Sequence, residues 1–185
     1  MTLPRGFKAN AERKALEFRT GLGLSSTAPI DIVALAAHFG AEMVPGEELI
    51  PRSRFEDLES LQVGAFSAAT FEVEGKNYIV TSPLTSEARR RSDIAHELGH
   101  IILQHELSEI REVDGVPFRS CRPDQEEQAT AFGATVLLPR PVLLAMIRKG
   151  FNTPEKIAIA QNVSVDMARF RLNTTGVLKQ AQRSL

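Results

Sequence analysis

The sequence predicts an α+β fold: a mostly helical domain that contains a small antiparallel β-sheet and ends in a helix-turn-helix-like pair. Helical segments are marked by cap residues, by apolar residues at helical spacing and by glycine or proline where they stop. Two runs rich in Val, Tyr, Ile and Thr flank Glu74-Gly75, which is a turn signal. Near the C-terminus, Asn162-Val163 separates two short helical segments with helix-turn-helix spacing.

In the first half of the chain, the predicted elements alternate between helices and short strands. Pro29 opens one helix at its first turn, and Gly40 ends it. A polar connection containing Pro45 and Pro51 is predicted to continue to about residue 60. The predicted elements are helices over residues 9–20, 29–40 and 87–104 and strands over residues 41–44, 61–70 and 76–81.

In the second half, all predicted elements are helices. Residues 108–124 have no clear period, which indicates a loop or flap that could border a site. Asp124 is the expected N-cap of the next helix, which Pro139 terminates. The predicted helices cover residues 125–137, 141–148, 154–160 and 164–173. We therefore expect a main domain over residues 1–139 and a helical subdomain over residues 140–185.

The composition is ordinary for a soluble globular protein, with 43% hydrophobic and 24% charged residues among 185. A single cysteine, Cys121, excludes an internal disulfide framework and fits a reducing compartment. Because no leader-like start and no run of about 18 apolar residues occurs, we expect a cytoplasmic protein without membrane contact. The net charge is −1, yet residues 140–185 carry eight basic and two acidic residues, a balance of +6.

The central motif is His96-Glu97-Leu98-Gly99-His100, the H-E-x-x-H arrangement. On a helix, the two histidines project from one face about one turn apart and can hold one Zn²⁺. Glu97 stands beside the metal, where it can take a proton from the attacking water and return it to the leaving amine. Gly99 costs about 1 kcal/mol against alanine inside a helix, which indicates close approach by another backbone or by substrate. The strand that leads into this helix can lie along the cleft and offer a free edge to an extended peptide.

A catalytic zinc site needs a third protein ligand. His105 is the nearest histidine, but on a continuing helix it is rotated by about 140° from the metal face. The metzincin pattern places its third histidine where this chain has Glu106. A carboxylate from a second helix has better geometry, and Glu126 and Glu127 are both candidates at the start of the following helix.

The order of these segments resembles the ImmA/IrrE family of zinc metallopeptidases, which have a zincin-like fold with a glutamate as third ligand. The resemblance rests on residues 29–36, on residues 91–100 and on the helix over residues 126–139, and it covers the chain from about residue 9 to 175. It implies Glu126 as the third zinc ligand, with Glu127 as the alternative.

The second metal helix departs from the family pattern E-x-E-A-[DN]-x-F-A-x-x-L-L-x-P within its first eight positions. Gln128 replaces the second glutamate, Thr130 replaces aspartate or asparagine, and Gly133 replaces alanine. Because Thr130 has no carboxylate to orient a ligand histidine, we expect weaker metal binding or weaker activity.

These residues predict a zinc-dependent endopeptidase in which a further group stabilises the developing oxyanion. The candidates for that group are Tyr78, His105, Arg119 and Arg122. The resemblance implies that the substrate is one protein, a helix-turn-helix transcriptional repressor, whose cleavage relieves repression in a stress response or a mobile element.

The alternative is a DNA-binding or protein-binding transcriptional regulator with a structural or vestigial zinc site. It would use the basic C-terminal helix pair, with nucleic acid as a secondary partner. Arg169 and Arg171 lie on the second helix of that pair, where a recognition helix makes base or phosphate contacts.

Overall fold

The computed structural model describes residues 3–106, 110–113, 116–119 and 122–182, so Cys121 lies outside the described residues. Its helices are α1 (Phe7–Gly21), α2 (Ile32–His38), α3 (Arg52–Leu61), α4 (Glu87–Ile102), α5 (Pro123–Leu137), α6 (Arg140–Arg148), α7 (Pro154–Gln161), α8 (Val165–Thr175) and α9 (Val177–Gln182). Its strands are β1 (Ala41–Pro45), β2 (Ala68–Val73), β3 (Lys76–Thr81), β4 (Ile110–Val113) and β5 (Val116–Arg119). The predicted α+β class is confirmed.

The larger sheet has three strands in the order β1-β3-β2. The predicted hairpin is present, because β2 and β3 are antiparallel, with Thr70 opposite Ile79. Strand β1 pairs in parallel with β3, so the sheet is mixed rather than wholly antiparallel. Since β3 is central, it has no free edge, and the prediction that the strand leading into α4 offers one is wrong. The free edges belong to β1 and β2, each of which pairs only with β3 among the described strands.

Helix α3 replaces the polar connection that the sequence predicts before residue 60. Its side chains support it locally, because Arg52 Nε pairs with Glu56 Oε1 one turn later at 3.1 Å. Phe55 is buried and lies 5.7 Å from the ring of Phe66. A Cβ on Gly46 would lie 2.5 Å from the Phe55 ring, so glycine is required where α3 packs on the preceding segment.

The predicted loop over residues 108–124 contains a hairpin of β4 and β5, in which Val113 pairs with Val116. Helix α5 begins at Pro123 with Arg122, rather than Asp124, as its N-cap, since proline is favoured in the first helical turn. Gly176 adopts φ 65°, which ends α8 and separates it from α9, a helix that the sequence pattern does not predict.

One hydrophobic core runs through the whole described chain. Ile94 of α4, Phe132 of α5 and Leu143 of α6 belong to it, as do Ile157 of α7 and Leu172 of α8. The core therefore continues across the predicted boundary at residue 139, and the two-part organisation stays a prediction.

Among the described residues no single helix is both long enough and apolar enough to span a membrane. Of the described helices, only the pair α5 and α6, bent by 42°, reaches that length and apolar content together.

Candidate metal centre

Helix α4 places both motif histidines at the same cleft. Ser86 caps the helix by accepting a hydrogen bond from the Arg89 backbone N–H. One turn separates His96 from His100, and their ring centroids lie 4.9 Å apart. Their Nε2 atoms are 3.2 Å apart. The sequence prediction that the two imidazoles share one face is thus met in the structure.

Glu126 of α5 completes a group of three metal-ligating side chains. Its Oε2 lies 3.1 Å from His96 Nε2, and its Oε1 lies 3.6 Å from His100 Nε2. One ligand atom from each of the three residues lies within 4.8 Å of the other two. Ligand atoms about 2.0–2.1 Å from a tetrahedral zinc are about 3.3 Å apart, so this spacing fits Zn²⁺. Glu127, the alternative ligand, is not in the group.

The electrostatics of the group also suit a cation. Hydrogen bonds from His100 and then His96 hold the pKa of the Glu126 carboxyl well below its ordinary value, although partial burial acts against them. Glu126 is therefore a carboxylate at neutral pH, and with the two imidazoles it forms a His₂Glu donor set.

The remaining ring nitrogens have protein partners. Thr130 Oγ1 lies 3.2 Å from His96 Nδ1, and His105 Nδ1 lies 3.1 Å from His100 Nδ1. When Nε2 of each histidine binds a metal, the ring proton is on Nδ1, and each of these partners can accept it. Thr130 thus contacts a ligand histidine, although its hydroxyl carries no charge.

His105 lies outside the three-residue group, as predicted, but the continuing helix that this prediction assumes is absent. Helix α4 ends at Ile102, and Gln104 adopts φ 54°. The chain turns back, and the His105 backbone N–H donates to the His100 carbonyl at 3.0 Å. Burial and then the charge of His100 lower the pKa of His105. His105 supports His100 without joining the three-ligand group.

Glu97 is only 4% exposed and borders the same cleft as His96. Among its contacts, it accepts a hydrogen bond of 2.7 Å from Thr70 Oγ1 on β2. The contact fixes the carboxylate beside the metal ligands and places the edge strand along the cleft. No sequence pattern indicated Thr70, since its role depends on the pairing of β2 with β3.

Two glycines let the metal helices approach closely. A Cβ on Gly99 would lie 3.0 Å from the Ala129 carbonyl oxygen, and one on Gly133 would lie 2.4 Å from the Ala95 carbonyl oxygen. The backbones of α4 and α5 therefore touch, which brings Glu126 to the histidines. This is the backbone approach predicted for Gly99, and it also explains why Gly133 stands where the family pattern has alanine.

The cleft beside the metal group has a volume of about 520 Å³. Its wall includes Ser67 and Ala68 at the start of β2, and Arg89 and Asp93 on α4. Arg89 Nε donates to both Asp93 carboxylate oxygens, at 2.9 and 3.2 Å. Burial raises the pKa of Asp93, and the charge of Arg89 acts in the opposite direction.

The predicted oxyanion donors are dispersed. Tyr78 is not among the described residues that line the cleft, and Lys76 Nζ lies 5.4 Å from its ring centroid. Arg122 is exposed and pairs with Glu106 Oε2 at 3.3 Å and with Asp124 Oδ2 at 3.5 Å. The side chain of Arg119 lies outside the described part of the structure. Of the three candidates whose side chains are described, only His105 contacts the metal group.

The two predicted DNA-contacting arginines differ in exposure. Arg169 is exposed and pairs with Asp166 at 2.6 Å. Arg171 is 6% exposed, and it donates to the Leu138 carbonyl at 2.9 Å and to Glu12 Oε1 at 2.6 Å. Arg171 is thus a buried structural cation rather than a surface group for nucleic acid.

The family model described as Peptidase M78, IrrE N-terminal-like domain, matches residues 52–173, about two-thirds of the chain. The chain belongs to the Peptidase M78 family. The match includes α4 and α5 with all three proposed ligands, and it confirms the resemblance to ImmA/IrrE proteins. The Peptidase M78 match begins at α3, so α1, α2 and β1 lie outside it. No curated protein and no solved structure matches the chain.

Proposed function

We propose that the chain is a zinc-dependent, site-specific endopeptidase that cleaves a helix-turn-helix repressor and thereby relieves repression. Membership of the Peptidase M78 family supports a metallopeptidase-like function. The observation that carries the zinc assignment is the convergence of His96, His100 and Glu126, whose ligand atoms lie within 4.8 Å of one another. Their spacing and chemistry suit a tetrahedral zinc that retains one open position.

When bound, the metal supplies Lewis acidity, which polarises a peptide carbonyl and makes water more acidic. Glu97 accepts the proton of the attacking water and passes it to the leaving amine as the peptide bond breaks. The hydrogen bond from Thr70 to Glu97 Oε2 holds this carboxylate in one orientation. Proton transfer at Glu97 is therefore directed toward the cleft that it shares with His96.

The free edge of β2 supports the binding of an extended peptide. Ser67 and Ala68 line the cleft beside the ligands, and Thr70 contacts Glu97. A substrate strand paired with this edge would form backbone hydrogen bonds that do not depend on its sequence. Its scissile carbonyl would then lie across the metal group.

The helix-turn-helix repressor is proposed as the substrate on the basis of the resemblance to ImmA/IrrE proteins. A peptidase with one protein substrate must distinguish side chains of that substrate, so the cleft as well as the backbone of β2 must take part in recognition. The natural probe is a helix-turn-helix protein encoded by a neighbouring gene.

Glu97→Gln tests the mechanism, with Glu56→Gln on the exposed face of α3 as the matched control. We expect the Glu97 variant to cleave the repressor at least about 100-fold more slowly while binding as much zinc as the parent. The Glu56 variant is expected to equal the parent in both measurements. Full cleavage by the Glu97 variant would show that the mechanism is wrong.

Metal analysis tests the cofactor separately from the mechanism. We expect one zinc per purified chain, and less after His96→Ala. The zinc assignment fails if the parent holds no stoichiometric zinc and His96→Ala changes nothing. The repressor assignment fails if the repressor stays intact while other peptides are cut.

A further inference from the structure

A second cavity of about 540 Å³ lies on the other side of the third ligand. It is enclosed by α1, α5 and α8, and its lining shares Glu126, Thr130 and Phe170 with the metal cleft. Because the two cavities have these three wall residues in common, they adjoin at Glu126, and together they are called the groove. A peptide bound at the metal would therefore extend from one cavity into the other.

The inner wall of this second cavity is apolar. Phe7 and Ala11 of α1 face Ala131 of α5 and Phe170 of α8 across it. Glu12 in this wall is neutralised within the protein, because it accepts hydrogen bonds from Arg171 Nη2 at 2.6 Å and from the Arg140 backbone N–H at 2.8 Å. The charged residues Lys8 and Glu127 also border the cavity. Its apolar wall is suited to an uncharged guest, and its volume lies within the range of small-molecule pockets.

The metal cleft on the first side has a different chemistry. Its lining includes Arg89, Asp93 and Asp166, together with the hydroxyl groups of Ser67 and Ser164. A substrate that spans the metal group meets polar groups on one side and apolar groups on the other. This asymmetry gives the groove a means to select both a sequence and a direction of binding.

We propose that the second cavity is a specificity pocket, which takes an aromatic or long aliphatic side chain of the substrate next to the scissile bond. The proposal rests on the proposed peptidase function. The position of the cavity favours a side chain of the bound peptide as its occupant, because Glu126 and Thr130, beside the metal group, form part of the cavity wall. Its α1 wall lies outside residues 52–173, so the pocket depends on a helix beyond the family match.

Binding of small metal-chelating peptides tests the pocket. The probes are a glycyl hydroxamate and a phenylalanyl hydroxamate, titrated into the zinc-loaded protein by calorimetry. Because the benzyl group would be buried, we expect the phenylalanyl probe to bind about tenfold or more tightly than the glycyl probe. Ala131→Phe should fill the cavity and abolish this preference while leaving glycyl hydroxamate binding intact. Ala37→Phe, on the exposed surface of α2, adds the same side chain elsewhere and should retain the preference.

A second readout does not require metal. The sequence contains no tryptophan, so Phe170→Trp introduces a single tryptophan at the junction of the two cavities, which can be excited apart from Tyr78. We expect saturable emission changes with N-acetyl-phenylalaninamide, weaker changes with N-acetyl-serinamide, and none with either once Ala131→Phe is added.

The two measurements separate failure of the pocket from failure of the peptidase function. Equal affinity for the two hydroxamates, or equal fluorescence responses to the two amides, would overturn the pocket. If neither hydroxamate binds, the metal-based function fails, and the tryptophan titration alone decides whether the pocket exists.

Discussion

Helix pair α4–α5 and helix pair α7–α8 use polar side chains in opposite ways. In the first pair, His96, His100 and Glu126 face one another in a partly exposed group whose ligand atoms converge. In the second pair, the buried cation Arg171 is fully engaged by Glu12 and the Leu138 carbonyl. Convergent polar groups that are only partly satisfied by each other indicate a binding site, whereas groups paired with the scaffold hold the fold together.

The second pair also supports the first. Arg91 of α4 donates from Nε to the Asn162 carbonyl, in the turn between α7 and α8, at 2.9 Å. Asn162 in turn donates from Nδ2 to Glu87 Oε1 at 2.7 Å. The turn of the helix-turn-helix-like pair is therefore hydrogen-bonded to α4 at two residues that precede His96 by more than one helical turn. The turn of the pair thus contributes to the position of α4.

The largest expected effect is that of Arg171→Ala, which would leave Glu12 and the Leu138 carbonyl without their partner. We expect a loss of about 3 kcal/mol in the free energy of unfolding, measured by urea denaturation. Arg169→Ala, which breaks an exposed ion pair, should cost at most about 0.5 kcal/mol. A stable Arg171→Ala protein that had lost salt-dependent duplex binding would instead favour the DNA-binding alternative.

Gly133→Ala tests the close contact inside the first pair. The new Cβ would overlap the Ala95 carbonyl, so α5 must shift, and we expect about 2 kcal/mol of destabilisation with weaker zinc binding. Gly21→Ala, in the last turn of α1 with open space around its Cβ, is the matched control and should be neutral or slightly stabilising. Unchanged zinc affinity in Gly133→Ala would mean that the ligand positions do not depend on this contact.

Thr130→Ala and Thr130→Asp probe the support of the ligand histidines. Removing the hydroxyl beside His96 Nδ1 should weaken zinc binding about tenfold in a chelator competition assay. Aspartate should strengthen it relative to the parent, since a carboxylate accepts the Nδ1 proton more strongly than a hydroxyl. Thr20→Ala, an exposed position on α1, should bind zinc as the parent does. Equal affinities for all four proteins would assign Thr130 no role at the metal.

The smallest expected effect concerns pH. Burial raises the pKa of Asp93 in the folded protein above its value in the unfolded chain. At a pH between these two pKa values, Asp93 is protonated more often in the folded state than in the unfolded state. Its contribution to stability therefore falls as pH rises through that interval. Asp93→Asn removes this dependence, and the difference in melting temperature between variant and parent should shift in favour of the variant as pH rises. A constant difference across pH 4 to about 7 would contradict the pKa direction.

The sequence predicted the parts of the site that depend on local spacing. His96 and His100 follow from the helical period, and Glu126 follows from the resemblance rather than from residue spacing alone. The contacts of Thr70 with Glu97 and of His105 with His100 were not predictable, because each depends on chain reversal or strand pairing. A turn at Gln104 was enough to bring His105 back.

The same distinction applies to the fold. Helices with caps and glycine stops were predicted to within a few residues, and the β2–β3 hairpin was predicted from Glu74-Gly75. Helix α3 was missed because proline flanks it and its apolar face is small, with Phe55 as its one buried residue. The parallel pairing of β1 with β3 is a tertiary choice that no local pattern specifies.

The ion pair between Arg171 and Glu12 joins residues 159 positions apart, and it has a consequence for synthesis in the cell. At about 5–20 residues per second, Glu12 leaves the ribosome's catalytic centre roughly 8–30 s before Arg171 is added. Throughout that interval Glu12 lacks the Arg171 guanidinium with which it pairs in the folded protein. The wall of the apolar cavity is therefore among the last parts of the molecule to be completed, and a nascent chain acquires its motif histidines well before it acquires this pocket.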